Sequence, residues 1–113
     1  MECIFCKIAK GELPADIVYQ DEHIVSFRDL HPQAPAHVLI IPRKHIPSLG
    51  GTTPEDHKLL GHMLEKVRTL AEELEILDRG FRLVSNCGEE AGQSVHHLHF
   101  HLLGGRPFAW PPG

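Results

Sequence analysis

The segment Gln93-Ser94-Val95-His96-His97-Leu98-His99-Phe100-His101-Leu102-Leu103 concentrates the chemistry of this chain. His97, His99 and His101 occupy every second position, with apolar residues between them. Side chains alternate faces along a strand, so these three imidazoles share one face, and Leu98, Phe100 and Leu102 share the other. On that count His96 falls on the apolar face, as a partly buried ring outside the chemistry. Imidazole titrates near pH ~6.5, so a row of such rings offers a nucleophile, a base and, when protonated, a cationic stabiliser along one phosphate. One metal ion cannot be held by all three. His97 and His101 stand about 13 Å apart at a rise of ~3.3 Å per residue, a gap that metal–nitrogen bonds near ~2 Å do not close. A neighbouring pair could still share an ion. A merely solvated sheet face would favour Thr, Tyr or Val over histidine.

Donors for phosphoryl oxygens lie nearby in sequence. Ser94, Gln93 and Asn86 carry them on side chains, and the polar loop of residues 88–92 could add main-chain N–H groups. Cys3-x-x-Cys6, near the amino terminus, shows half of a tetrahedral zinc site. No thioredoxin-like strand precedes it, which argues against a redox motif. Cys87 reads as a plain small residue.

The elements that must position these groups are legible from periodicity. Ile4, Phe5 and Ile8 share one face of a short helix that Gly11 and Pro14 end. Residues 17–20 and 23–27 read as strands around an Asp21-Glu22 hairpin turn. Residues 30–35 contain two prolines and form a loop. Residues 37–41 form a branched apolar run suited to a buried central strand, which Pro42 stops. Thr53 caps the long helix, Pro54 takes its first position, and Glu55 and Asp56 complement its positive end. Leu60, Met63, Leu64, Val67, Leu70, Ala71 and Leu74 then make one apolar stripe. Gly80 turns the chain into a strand over 81–86, and residues 95–103 are the last strand. Gly104-Gly105-Arg106-Pro107 breaks that strand, leaving a tail beyond the fold with Phe108 and Trp110-Pro111-Pro112-Gly113. The order predicts an α+β fold: a mostly antiparallel five-stranded sheet with one long and one short helix.

Composition narrows the function classes. A chain of 113 residues forms a single domain, residues 1–113, with one core. Its formal net charge of -4, with Lys and Arg scattered, argues against a nucleic-acid surface. No apolar run approaches the length that spans a bilayer, and the amino terminus lacks a secretory pattern. Three cysteines make no disulfide framework, so a reducing, cytoplasmic location is expected.

The triad stretch resembles the signature of the histidine triad (HIT) superfamily. The tail Gly104-Gly105-Arg106 and Trp110-Pro111-Pro112-Gly113 is similar to the Hint branch, the purine nucleoside phosphoramidases. Further matches at Ile4-Phe5, Phe27-Arg28-Asp29-Leu30, Pro32-Gln33-Ala34-Pro35 and residues 37–45 extend the likeness along the whole chain. The resemblance implies a HIT-fold homodimer that hydrolyses P–N bonds in purine nucleoside 5′-phosphoramidates and related AMP conjugates. It implies that His99 is the nucleophile of a nucleotidyl-histidine intermediate, supported by His101, His37 and His97, with no catalytic metal. Asn86, Gly92, Gln93 and Ser94 match its phosphate-binding positions, Asp29 the carboxylate on the ribose, and Phe27, Arg28 and Leu30 the surroundings of base and sugar. Arg28 departs from the histidine common at that position, which bears on base preference. Cys3, Cys6, His45 and His97 match the ligands of structural zinc in cysteine-bearing members, and the tail is implied to reach the neighbouring subunit's active site. Two alternatives stand beside this reading. One is a dinucleoside polyphosphate hydrolase or nucleotidyl transferase of the same superfamily; the other is a nucleotide- or zinc-binding interaction module with little activity.

Overall fold

A computed structural model of the chain describes residues 3–113; Met1 and Glu2, which head the stretch examined for a secretory pattern, lie outside them. Five strands form one sheet: β1 (Ile17–Gln20), β2 (Ile24–Arg28), β3 (Ala36–Pro42), β4 (Phe81–Val84) and β5 (Phe100–Gly104). Their order is β1-β2-β3-β5-β4, and every pairing is antiparallel. The short helix α1 (Ile4–Ala9) and the long helix α2 (His57–Glu73) complete the α+β architecture. Among the described residues, no helix is long and apolar enough to cross a membrane.

The central strand explains the arrangement. All seven residues of β3 are buried, because each face of the sheet carries its own helix. On one face Ile24, Val38, Ile40, Phe100 and Leu102 pack with Met63, Val67, Leu70 and Ala71 of α2. On the other, Val25, Phe27, Leu39 and Ile41 pack with Phe5, Ile8 and Ala9 of α1. Each such aliphatic side chain contributes roughly 1.5–3 kcal/mol by leaving water. The alternation along β5 therefore points Leu102 at α2 and His101 at the α1 side.

Several local expectations need adjusting. Thr53 does cap the long helix, in a full capping box with Asp56, but residues Pro54–Asp56 form a 3-10 turn before α2 begins. Leu64, included in the apolar stripe, is 51% exposed, since the stripe is wider than the sheet surface it covers. Ile4 is likewise exposed while Phe5 and Ile8 are buried. The last strand starts at Phe100 rather than residue 95, and residues 95–97 form a bend that carries His97 away from ladder geometry. His96 consequently points to solvent. Strand β4 stops at Val84, which leaves Asn86 beyond its end. Phe108 is not loose in the tail, because the guanidinium groups of Arg82 and Arg106 stack on its ring at 5.1 and 4.3 Å.

The β1–β2 turn is held by one carboxylate. Asp21 Oδ1 accepts the N–H groups of His23 and Ile24 at 2.8 and 2.9 Å. Its Oδ2 accepts the Tyr19 hydroxyl at 2.7 Å and lies 2.6 Å from His62 Nε2 on α2. Burial alone would raise the Asp21 pKa, but these donors outweigh it and hold the carboxyl well below the usual range. A depressed carboxylate pKa stabilises the fold above the unfolded value near ~3.9 and loses that contribution as pH falls below it. Asp21→Asn is therefore expected to cost about 2 kcal/mol at pH 7. Urea titrations from pH 7 to ~3 should show the gap to wild type closing as the acid limit is approached.

Candidate active site and metal cluster

Four elements converge on the α1 face of the sheet. Phe27 ends up there from β2, His37 and Leu39 from β3, His101 from β5, and Phe5 and Ile8 from α1. Register decides which histidines meet: His37 pairs with Leu103, so His101 is its diagonal neighbour across the β3–β5 ladder. The two rings lie 5.2 Å apart, with His37 Nε2 at 2.9 Å from His101 Nδ1. His99 and His101 are again ring neighbours, at 5.1 Å. A cavity of about 250 Å³ opens beside them, lined by Phe27, Arg28, Asp29, Leu30, Ser94, His99 and His101 among others.

Hydrogen bonds assign the proton on each ring. His99 Nδ1 lies 2.7 Å from the carbonyl oxygen of His97, so Nδ1 carries the hydrogen and Nε2 keeps its lone pair. His37 Nδ1 accepts the Gln33 N–H at 3.0 Å, which places the His37 proton on Nε2. That proton faces His101 Nδ1, so His101 in turn carries its proton on Nε2. Both rings are neutral near pH 7. Burial, opposed by Asp29, pushes His37 down, and burial with the neighbouring His99 and His37 pushes His101 to about 4. Asp29 is fixed by the His31 N–H on Oδ1 at 2.8 Å, and its Oδ2 stands 3.5 Å from His37 Nε2.

The remaining expected site residues divide. His97 is fully buried, and with Cys3, Cys6 and His45 it forms a separate cluster rather than lining the cavity. Gln93 is committed to its own loop, since its amide donates to the carbonyls of Pro47 and Val95 and accepts from Gly88 N–H. The Gly92 N–H is also taken, by Glu89 O at 3.0 Å. The N–H groups of Gly88, Gly92 and Gln93 are therefore spent within the loop. Asn86 sits half-buried outside the cavity lining, although the adjacent Ser85 hydroxyl donates to His99 O at 3.4 Å. The sequence reading missed the apolar wall made by Phe5, Ile8, Leu39 and Val95. Periodicity places Phe5 and Ile8 only on one face of a short helix, and the Cβ alternation of β3 could have placed Leu39 beside them. A larger concavity of about 390 Å³ lies at Glu75, Arg79 and Arg106, but no histidine lines it.

The cluster of Cys3, Cys6, His45 and His97 has donor geometry suited to a metal ion. Cys3 Sγ and His97 Nδ1 are 3.3 Å apart, Cys6 Sγ and His45 Nδ1 3.3 Å, and the two Nδ1 atoms 3.2 Å. A tetrahedral zinc ion needs sulfur–nitrogen separations of about 3.5 Å and nitrogen–nitrogen separations of about 3.3 Å. The second shell agrees: His97 Nε2 donates to Pro42 O at 2.8 Å, leaving Nδ1 as a lone-pair donor toward the sulfurs. Asp29, His37 and His101 also bring ligand atoms within 4.8 Å of one another. There the second shell disagrees, because His37 Nδ1 accepts a hydrogen bond where a metal-bound ring would need to donate one. The donor atoms of the first cluster fit a metal ion, whereas those of the second are joined by shared protons.

Comparison with known proteins gives the family and the fold. Residues 2–107 match the family described as scavenger mRNA decapping enzyme C-term binding. A HIT-like protein of Synechocystis sp. is 57% identical over 112 residues, covering 99% of this chain and 97% of its own. The chain belongs to the histidine triad (HIT) family. A HIT family hydrolase from Legionella pneumophila Philadelphia 1 shares the HIT fold at a TM-score of 0.98 and 48% identity, with 99% of this chain and 100% of that one covered. A Zn-bound histidine triad family protein from Mycobacterium smegmatis is 33% identical at a TM-score of 0.78, with 94% of this chain and 76% of that one covered. The antiparallel five-stranded sheet and the single long helix are thus those of the HIT fold.

Proposed function

We propose that this HIT protein hydrolyses purine nucleoside 5′-phosphoramidates and related AMP conjugates through a covalent intermediate on His99. The observation that carries this reading is the His99 ring itself: its Nδ1–H is tied to the His97 carbonyl, which leaves Nε2 as a free nucleophile beside the cavity. His99 Nε2 attacks the α-phosphorus, the P–N bond breaks, and the amine departs with a proton taken from solvent, which the hydrolytic water of the second step returns. His101, held neutral with its hydrogen on Nε2, is the donor for the phosphoryl group, and His37 keeps it in that form. Water then cleaves the P–His99 bond and releases the nucleoside monophosphate. Asp29 takes the ribose hydroxyls, Phe27, Arg28 and Leu30 surround base and sugar, and Ser94 with Asn86 binds phosphoryl oxygens. Gly92 and Gln93 shape the loop that presents Ser94. No step in this scheme requires a metal.

Cys3, Cys6, His45 and His97 would hold a structural zinc ion, which would tie α1 and the segment after β3 to the catalytic strand. The Zn-bound relative from Mycobacterium smegmatis supports that role. A homodimer is favoured by two large apolar side chains left in water, Trp110 at 83% and Leu30 at 89% exposure. The free cysteines suit a reducing compartment such as the cytoplasm.

Initial rates on adenosine and guanosine phosphoramidates, set against dinucleoside polyphosphates, test the assignment. We expect kcat/KM at least about tenfold higher on the phosphoramidates. Preference for polyphosphates would move the activity to the neighbouring hydrolases, and AMP binding without any turnover would make the protein an interaction module.

A further inference from the structure

We infer that one main-chain N–H, that of Gln33, held in place by Arg106, sets which nitrogen carries the proton in both His37 and His101. Its catalytic consequence rests on the function proposed above, whereas the proton positions do not. Gln33 lies in an exposed loop, yet its N–H reaches the Nδ1 of a ring only 5% exposed. That donor forbids a proton on His37 Nδ1, because two N–H groups would then face each other. The proton must occupy Nε2, and His101 Nδ1 at 2.9 Å must accept it. His101 is thereby left with its proton on Nε2. Reversing the first ring would reverse the second, and His101 would then offer a lone pair where it now offers a donor. Since both rings are neutral near pH 7, this choice of tautomer, rather than charge, is what the site has to control.

An exposed loop does not hold a hydrogen bond of this kind unaided. Arg106 Nε donates to Gln33 O at 2.9 Å, and Gln33 Nε2 closes the loop on His31 O at 2.9 Å. The guanidinium is itself oriented, with Nη1 on Pro107 O at 2.9 Å and its plane over Phe108 at 4.3 Å. The preceding Gly105 lets the two segments touch: at φ +93, a Cβ there would meet Pro35 Cβ at 2.9 Å. Gln33 and Arg106 are positioning residues, acting on the reaction only through His37. Asp29 Oδ2, at 3.5 Å from His37 Nε2, favours the same tautomer from the other side.

Nitrogen-15 NMR of the imidazoles at neutral pH, on the full chain as purified, reads the proton positions without reference to turnover. In the wild type, His37 and His101 should both show an unprotonated Nδ1 and a protonated Nε2. Arg106→Leu should mix the His37 tautomers and lower kcat about tenfold with KM nearly unchanged, the scale on which loss of an orienting partner acts. Arg106→Lys, which keeps a donor within reach of Gln33 O, should restore part of both. A wild-type His37 protonated on Nδ1 would overturn the inference, even if no variant folds. So would an Arg106→Leu protein whose imidazole pattern matches the wild type, which would leave Asp29 as sufficient. Tautomers that shift as expected in a protein with no phosphoramidase activity would support the inference and remove the proposed function instead.

Discussion

Replacing His99 by glycine is expected to lower turnover of an adenosine phosphoramidate by at least about four orders of magnitude, the scale of losing a covalent nucleophile. Nucleotide binding should survive, because the cavity is walled mainly by other residues, including Phe27, Asp29, Leu30 and Ser94. One oriented ring presents the attacking lone pair. His99 is 4% exposed, its Nδ1–H is bound to the His97 carbonyl at 2.7 Å, and the Phe5 ring packs edge-on at 5.1 Å. Such a ring has little freedom to rotate away, so its Nε2 lone pair is presented without an ordering cost at each cycle. Intact-mass analysis after a quench that avoids acid should find a nucleotidyl adduct on wild-type protein, mapping to His99, and none on the variant. Retained activity in His99→Gly would end the covalent scheme. Ser94→Ala removes one phosphoryl donor only, so a loss of roughly 10²-fold is expected of it.

The second large effect concerns stability. Replacing both Cys3 and Cys6 by serine should abolish bound zinc and lower the melting temperature by more than about 10 °C, because metal-binding free energy at such a site is folding free energy. The four donors come from three places far apart in the chain: the head of α1, the segment after β3 and the approach to β5. Burial, then contact with the Cys3 sulfur, raises the Cys6 thiol, and burial pushes His97 down. A dication among them would favour the thiolate and the neutral imidazole together. Turnover per folded molecule should fall less than stability does, since His99 and His101 are not ligands of this cluster. Metal analysis of protein purified without chelator, followed by thermal unfolding of both forms, decides the matter. Metal-free wild type, with a serine variant of equal stability, would remove the site.

The amino-acid order by itself determined the elements and the direction of the key side chains. Period-two spacing separated His97, His99 and His101 from Leu98, Phe100 and Leu102, and the two groups do face opposite sides of the sheet. Capping residues at Thr53 and the turn glycines at Gly11 and Gly80 placed the helix and strand boundaries to within a few residues, because those signals are local. The matches at Cys3, Cys6, His45 and His97 named a cluster whose atoms do come together.

Tertiary structure decided what each histidine touches. Strand periodicity treats the triad as three equivalent rings, but the bend at residues 95–97 swings His97 into the sulfur cluster, whereas the ladder keeps His101 beside His37. The loop of residues 88–92 looked like a phosphate cradle, yet the Gln93 side chain and a loop carbonyl take the N–H groups of Gly88 and Gly92. Most of all, the proton positions depend on the carbonyls of His97 and Pro42 and on the N–H of Gln33. Main-chain groups are the same in every non-proline residue, so no residue type announces them. Only the path of the chain puts a carbonyl against one ring nitrogen and an amide against another, and that path leaves His99 a lone pair on Nε2, His97 a lone pair on Nδ1 among the sulfurs and His101 a hydrogen on Nε2.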